Sequence, residues 1–350
     1  MSADHAGHAD DGLDDEAYFR DFRAAMPGDS QRVIGGLERV KSVYVDCPRD
    51  EALLTAFNRF LEQFLATRSG RRDEADIFFL PGASGAGKSL AVERLLREHP
   101  ALQPKLTSYG LERRCVSIKL RGYTHPRLVG LQIIRAAGYG MGTQTARGEV
   151  WDGMADHLRA QRVSLVHVDE AQHLLKANAS LQAREELAEA IKGVSIDRRW
   201  PVAFLFSGLP RITNLAGGDE QVERRGNFVR FDDVRMPDER DLVVKIIERL
   251  AEPVGLDVEH LVEEASDLPW RLAHAANRRY ARICQGVVAA IQEALHWKNA
   301  RLTVGHFADA YERRSLAYGR DEKNPFVEQH WKELRPGAFL EFDEPKADPQ

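Results

Sequence analysis

Residues Gly82-Ala83-Ser84-Gly85-Ala86-Gly87-Lys88-Ser89 fit the spacing GxxxxGK[ST] at every fixed position. The chemistry this pattern can do is the binding of anionic oxygens. Glycines let the backbone curl until successive N–H groups point inward, and the N-terminus of a following helix adds its own open donors. Lys88 is the cation that reaches the β- and γ-phosphates, and the Ser89 hydroxyl is a ligand for magnesium. Leu90 follows directly and completes the cradle. The expected ligands are therefore ATP and Mg2+. The pattern does not reveal what the energy is used for, because kinases, motors and switches share such a loop.

A second set of reactive residues lies further along. "VSLVHVDEAQHLL" ends an apolar run in Asp169-Glu170. At the carboxyl end of a strand, Asp169 can hold magnesium, and Glu170 can polarise the water that attacks the γ-phosphate. A pair of acids at that point can alternatively cap a helix starting near Ala171. Another apolar run ends in Phe206-Ser207-Gly208, which offers the Ser207 hydroxyl to orient that water. "QVERRGNFVRF" contains Arg224 and Arg225, either of which could project as a guanidinium into a neighbouring subunit's nucleotide, with Arg225 preferred. In "LPWRLAHAANRR", Arg271 stands at a helix start from which it could fold back onto the γ-phosphate.

These groups need a scaffold. Ile77–Leu80 reads as a short buried strand entering the loop, and Val92, Leu95 and Leu96 lie on one face of the helix leaving it. Further strands are expected at Cys115–Leu120, Val163–Val168, Val202–Phe206 and, more weakly patterned, Phe228–Val234. Short apolar strands alternating with helical patterns indicate a parallel sheet covered on both faces. Residues 16–70 read as helices, with an apolar stripe of Leu53, Leu54, Phe57, Phe60, Leu61 and Phe64. A helix is expected over Leu128–Ala137. Beyond Pro237 the pattern is helical only. Leu242, Val243, Ile246, Ile247 and Leu250 form one stripe, a longer helix runs from about Pro269 to Trp297, and Thr303 caps a third containing Phe307 and Tyr311. The expected fold is α/β: a three-layer α/β/α parallel sheet around the phosphate loop, as in a P-loop NTPase, followed by a small C-terminal helical lid domain. The boundaries read as a disordered acidic tail at 1–15, an N-terminal helical segment at 16–70, the nucleotide-binding core at 71–237, the lid at 238–320 and a polar tail, with an isolated "NPF" at Asn324–Phe326, at 321–350.

Bulk properties narrow the class. The chain has 350 residues and a formal charge of −5, room for a nucleotide-binding domain and a smaller one. No apolar run approaches the roughly 20 residues needed to span a bilayer. The acidic, His-containing N-terminus carries no basic start or apolar stretch of a secretory signal. Cys47, Cys115 and Cys284 have no metal-type spacing, and a reducing, cytoplasmic setting fits them. Net acidity gives no support for nucleic-acid binding, yet a local basic loop suffices for it. One such loop follows the second strand, where Lys119, Arg121 and Arg127 flank Tyr123. Cations of this kind pair with phosphates without reading sequence.

The order of phosphate loop, VDEAQ strand, polar-ended strand, arginine pair and helical lid resembles AAA+ ATPases. Over roughly residues 30–326, GASGAGKS, VDEAQHLL, the RRGNF segment and LTVGHFADAYERR…NPF resemble the transposition regulators of the TniB/TnsC type, relatives of MuB and IstB. That resemblance implies ATP-dependent assembly on double-stranded DNA as a ring or helical filament of identical subunits. It also implies recruitment or activation of a transposase, with target-site selection that can involve a further protein, and no membrane. Three other readings compete. A secretion- or envelope-associated AAA+ ATPase shares the VDEAQ motif but normally carries a membrane span or wall-binding module. A nucleotide-gated scaffold would bind proteins without DNA. A small-molecule kinase needs an acceptor lid that is not evident.

Overall fold

The computed structural model describes residues 11–72, 74–108, 110–138, 147–174, 181–215, 226–315 and 323–337. The acidic tail to residue 10 and the last thirteen residues, 338–350, lie outside them. The chain divides into two units, Asp46–Asp233 and Met1–Val45 with Val234–Gln350.

The first unit is built on five strands: β1 (Ile77–Pro81), β2 (Cys115–Lys119), β3 (Leu165–Asp169), β4 (Ala203–Gly208) and β5 (Gly226–Phe228). All pairings are parallel and the spatial order is β2-β3-β4-β1-β5. Side chains alternate between the two faces along each strand. Ile77, Phe79, Val116, Ile118, Val166, Val168, Phe204 and Phe206 enter one core, packed with residues of α5 (Pro126–Ala136), α6 (Arg147–Asp152), α7 (Met154–Ala160) and α8 (Leu181–Ser195). Phe78, Leu80, Leu165, Ala203 and Leu205 enter the other, under α3 (Pro48–Leu65) and α4 (Lys88–Glu98). Coverage on both faces is why these strands read as continuous apolar runs. The fold is the three-layer α/β/α sheet of AAA+ P-loop NTPases with a helical C-terminal region.

Helix α3 starts at Pro48, whose missing N–H costs nothing in a first turn. The Asp50 carboxylate accepts from the Cys47 N–H at 2.8 Å. Leu53, Phe57, Phe60, Leu61 and Phe64 are buried, whereas Leu54 is exposed. Phe57 touches the rings of Phe60 and Phe78, so Phe57→Ala would cost about 3–5 kcal/mol. The fifth strand is shorter and earlier than the apolar pattern suggests. Regular pairing ends at Phe228, and only Val229 and Phe231 continue it, donating to Phe79 and Pro81 carbonyls at 3.0 and 3.1 Å.

In the second unit, α1 (Asp11–Ala24) and α2 (Gly28–Lys41) group with the helices after residue 234, so the stretch 16–70 is divided between the units. Gly36 of α2 permits a close approach: a Cβ there would meet Leu295 Cδ1 at 2.7 Å. The expected stripe is buried in α9 (Arg240–Ala251). The long helix expected from Pro269 to Trp297 is two, α10 (Leu268–Ala275) and α11 (Tyr280–His296), because Asn277 and Arg278 adopt left-handed φ of 49° and 56°. Asn tolerates that region, and an apolar stripe on either side does not report the break. α12 starts at Val304, directly after Thr303. Among the described residues, no helix is long and apolar enough to cross a membrane.

Candidate nucleotide site

Strand β1 hands the chain to the loop at Gly82, whose N–H donates to the Gly208 carbonyl of β4 at 3.0 Å. Gly85 and Gly87 have φ of 79° and 93°, conformations that side chains rarely adopt, so the curl needs glycine there. Helix α4 begins at once with Lys88, and no side chain caps it. Its first N–H groups are thus available to an anion. Lys88 is buried, and its Nζ donates to the Gly82 and Ala83 carbonyls at 2.8 and 2.9 Å. The ammonium therefore stands over the loop that the Ala83–Gly87 backbone makes. Leu90 is exposed.

The acids arrive from the carboxyl end of β3. Asp169 is 5 % exposed. Ser207 Oγ donates to its Oδ1 at 2.7 Å, Ser89 bonds the same carboxylate, and Lys119 Nζ lies 3.4 Å from Oδ2. Burial opposes ionisation of Asp169 most strongly, but the Ser207 and Ser89 bonds help to outweigh it and hold the carboxyl below its ordinary range. An ionised carboxylate beside a serine hydroxyl is a hard-oxygen donor set that fits Mg2+.

Glu170 has a left-handed φ of 56°. Gln172 Nε2 donates to its carboxylate, and Gln172 Oε1 accepts from the Leu209 N–H at 2.9 Å. Ser207 accordingly meets Asp169, while Gln172 meets Glu170. The segment after Glu170 is a single 3-10 turn, Ala171–Leu174.

Below Asp169 on the same strand, His167 is 3 % exposed. Its Nδ1 is 2.7 Å from Ser117 Oγ and its Nε2 is 2.9 Å from Ser207 Oγ. Burial pushes the imidazole pKa down, against the pull of Asp169, and keeps the ring neutral.

The structure thus brings together Gly82 to Ser89, Asp169, Glu170 and Ser207 at the carboxyl edge of the sheet, where open α/β folds bind ligands. Lys119 joins this group through Asp169. Arg121 is exposed beyond it, and the Arg127 N–H donates to His125 Nδ1 at the start of α5. The Arg271 guanidinium is engaged within its own unit. It bonds Asp267 and the carbonyls of Pro325 and Glu328 at 2.7–2.8 Å and lies over Trp331. A phosphate contact by Arg271 requires breaking that clamp. Arg224 and Arg225 lie outside the described residues. Sequence reasoning missed His167, Ser117 and Gln172. A histidine inside an otherwise apolar strand was the available signal for the first; nothing in local pattern marks the other two.

Residues 71–215 match the AAA domain family. No curated protein matches the chain. Many solved structures are similar, among them the following two. The Aeropyrum pernix ORC2 protein in its ADP form has a TM-score of 0.51 at 17% identity, over 77% of this chain and 68% of that one. Cdc6p from Pyrobaculum aerophilum has a TM-score of 0.53 at 16% identity, over 81% and 74%. At such identities the likeness is one of fold. Residues 71–215 thus form an AAA+ ATPase-type nucleotide-binding domain.

Proposed function

We propose that this chain is an ATP-dependent, DNA-binding AAA+ regulator of transposition that assembles on target DNA and recruits or activates a transposase. The observation that supports the enzymatic part is the Asp169 carboxylate, ringed by Ser89 and Ser207 and followed by Glu170, beside the phosphate loop. Lys88 and the loop amides bind the triphosphate; Ser89 and Asp169 hold Mg2+. Bound at Ser89 and Asp169, Mg2+ would supply electrostatic stabilisation of the charge that develops on the phosphates. Glu170 takes a proton from the attacking water. Ser207 is fully buried and gives its single proton to Asp169, so it acts by holding that carboxylate rather than by meeting the water itself. Hydrolysis to ADP and phosphate acts as a timer: the ATP state holds the assembly and the ADP state releases it.

The transposition reading rests on the resemblance of the RRGNF and C-terminal LTVGHFADAYERR…NPF segments. DNA contact by the loop after β2 is assigned to Lys119, Arg121 and Arg127, although Lys119 also lies 3.4 Å from the Asp169 carboxylate. The test is a DNA titration with and without a slowly hydrolysed ATP analogue, read by electron microscopy and by the salt dependence of binding. The proposal expects ATP-dependent rings or filaments on duplex DNA, weak sequence preference, and a log–log salt slope that falls by about 0.9 for each phosphate contact removed in Arg121→Ala or Arg127→Ala. ATP-dependent assembly without DNA affinity would instead favour a protein scaffold.

A further inference from the structure

The polar line across β3 and β4 has a direction. An ionised carboxylate only accepts, so Ser207 must place its one proton on Asp169 Oδ1. Its oxygen then faces His167 Nε2 as an acceptor, and Nε2 must carry the ring proton. The ring's Nδ1 lies 2.7 Å from Ser117 Oγ, within hydrogen-bond distance. Ser117, His167, Ser207 and Asp169 therefore form one continuous hydrogen-bonded line. It starts at an exposed hydroxyl on edge strand β2 and ends on a buried carboxylate.

The position of His167 is otherwise apolar. Leu165 precedes it on the same face, and the β4 residue in register with it is Leu205. Burying an imidazole there is unfavourable unless both nitrogens are satisfied, and here both are. An aliphatic residue would pack equally well but would leave Ser207 held by one bond, free to rotate about its remaining staggered positions.

We infer that His167 is a positioning residue of the ATPase site: it fixes the Ser207 hydroxyl, and through it the Asp169 carboxylate. This rests on the reading of the site as an ATPase. His167 touches neither substrate nor metal; its effect reaches the reaction only through Ser207, and it belongs to turnover rather than to nucleotide affinity.

The experiment compares His167→Leu, His167→Gln, Ser207→Ala and the double variant His167→Leu/Ser207→Ala in the full chain, measuring ATP affinity with a fluorescent analogue and turnover by phosphate release. Gln retains a donor to Ser207 and a second polar atom for Ser117; Leu retains neither. His167→Leu should leave affinity within about threefold and lower kcat by about 10–100-fold, whereas His167→Gln should stay within about threefold of wild type. In the Ser207→Ala background, His167→Leu should cost nothing further. Ser117→Ala opens the chain at its exposed end without touching the core, and keeps the inference testable if His167→Leu does not fold; it should lower kcat by about threefold or more at unchanged affinity. Wild-type turnover in His167→Leu, equal losses in Leu and Gln, or a full additional loss in the Ser207→Ala background would overturn the positioning role while leaving the ATPase reading intact. Absence of phosphate release from the wild-type chain, with and without DNA, would overturn both.

Discussion

Gly208→Ala is the smallest change that should disturb both the fold and the chemistry. A Cβ at residue 208 would stand 2.3 Å from Gln172 Oε1, 2.9 Å from Ile212 Cγ2 and 3.1 Å from the Ala171 N. None of these leaves room for a methyl group. Gln172 must swing away, abandoning the Leu209 N–H and releasing Glu170. Orphaning the half-buried Leu209 N–H costs about 1 kcal/mol and overpacking about 1–3 kcal/mol, so the core should lose about 2–4 kcal/mol. For a unit of this size that lowers the melting midpoint by roughly 5–15 °C. Turnover should fall by about tenfold or more because the general base is no longer held. Thermal melts with and without ATP identify the core's transition as the one the nucleotide moves, and phosphate release reports the second effect. Gln172→Ala provides the internal control. It removes the clashing oxygen, so the double variant should be less destabilised than the two single losses summed. A Gly208→Ala protein that melts within about 1 °C of wild type and turns over normally would refute the reasoning, since it would mean Gln172 does not depend on that space.

Three further outcomes follow from the same structure. Burial pushes His99, His167, His274 and His306 below their ordinary value of 6.5. The unfolded chain then binds more protons than the folded one, so stability should decline as pH falls below about 6.5; urea midpoints at pH 7.5 and 5.5 check the sign, and a higher midpoint at pH 5.5 would contradict it. Lys88→Ala should abolish measurable ATP affinity and lower the melt modestly, since it removes the phosphate cation together with its bonds to the Gly82 and Ala83 carbonyls; calorimetry decides. Arg271→Ala should loosen residues 323–337, visible as at least about tenfold faster amide exchange there, because bonds to two carbonyls and the Trp331 contact are lost together; unchanged exchange would mean that Asn324, Phe326 and the His274 contacts to Trp331 and Gly337 suffice to hold the segment.

Much of this architecture could be read from the chain before any coordinates. Central parallel strands announce themselves because both faces are buried, and the phosphate loop because only glycine supplies the φ of residues 85 and 87. The acids and Ser207 were legible from their places at strand ends. What escaped depends on lateral neighbours. Ser117, His167 and Ser207 are 40–50 residues apart in sequence and meet only through strand register. Gln172 acts on Glu170 because β4 ends beside it. Arg271 looked free because its partners lie 54 and 57 residues downstream, in a tail whose polarity concealed a clamp. The weak fifth strand was misplaced because its apolar residues continue past the point where pairing stops.

The account stands or falls on whether Glu170 cuts a triphosphate bound at this loop. The direct measurement is single-turnover phosphate release with ATP and Mg2+, comparing wild type with Glu170→Gln at matched nucleotide occupancy. Binding should be preserved in the variant while release falls by about 100-fold or more, and ATP-bound oligomers should persist. Equal rates in the two proteins, or no nucleotide binding by the folded wild type, would contradict it.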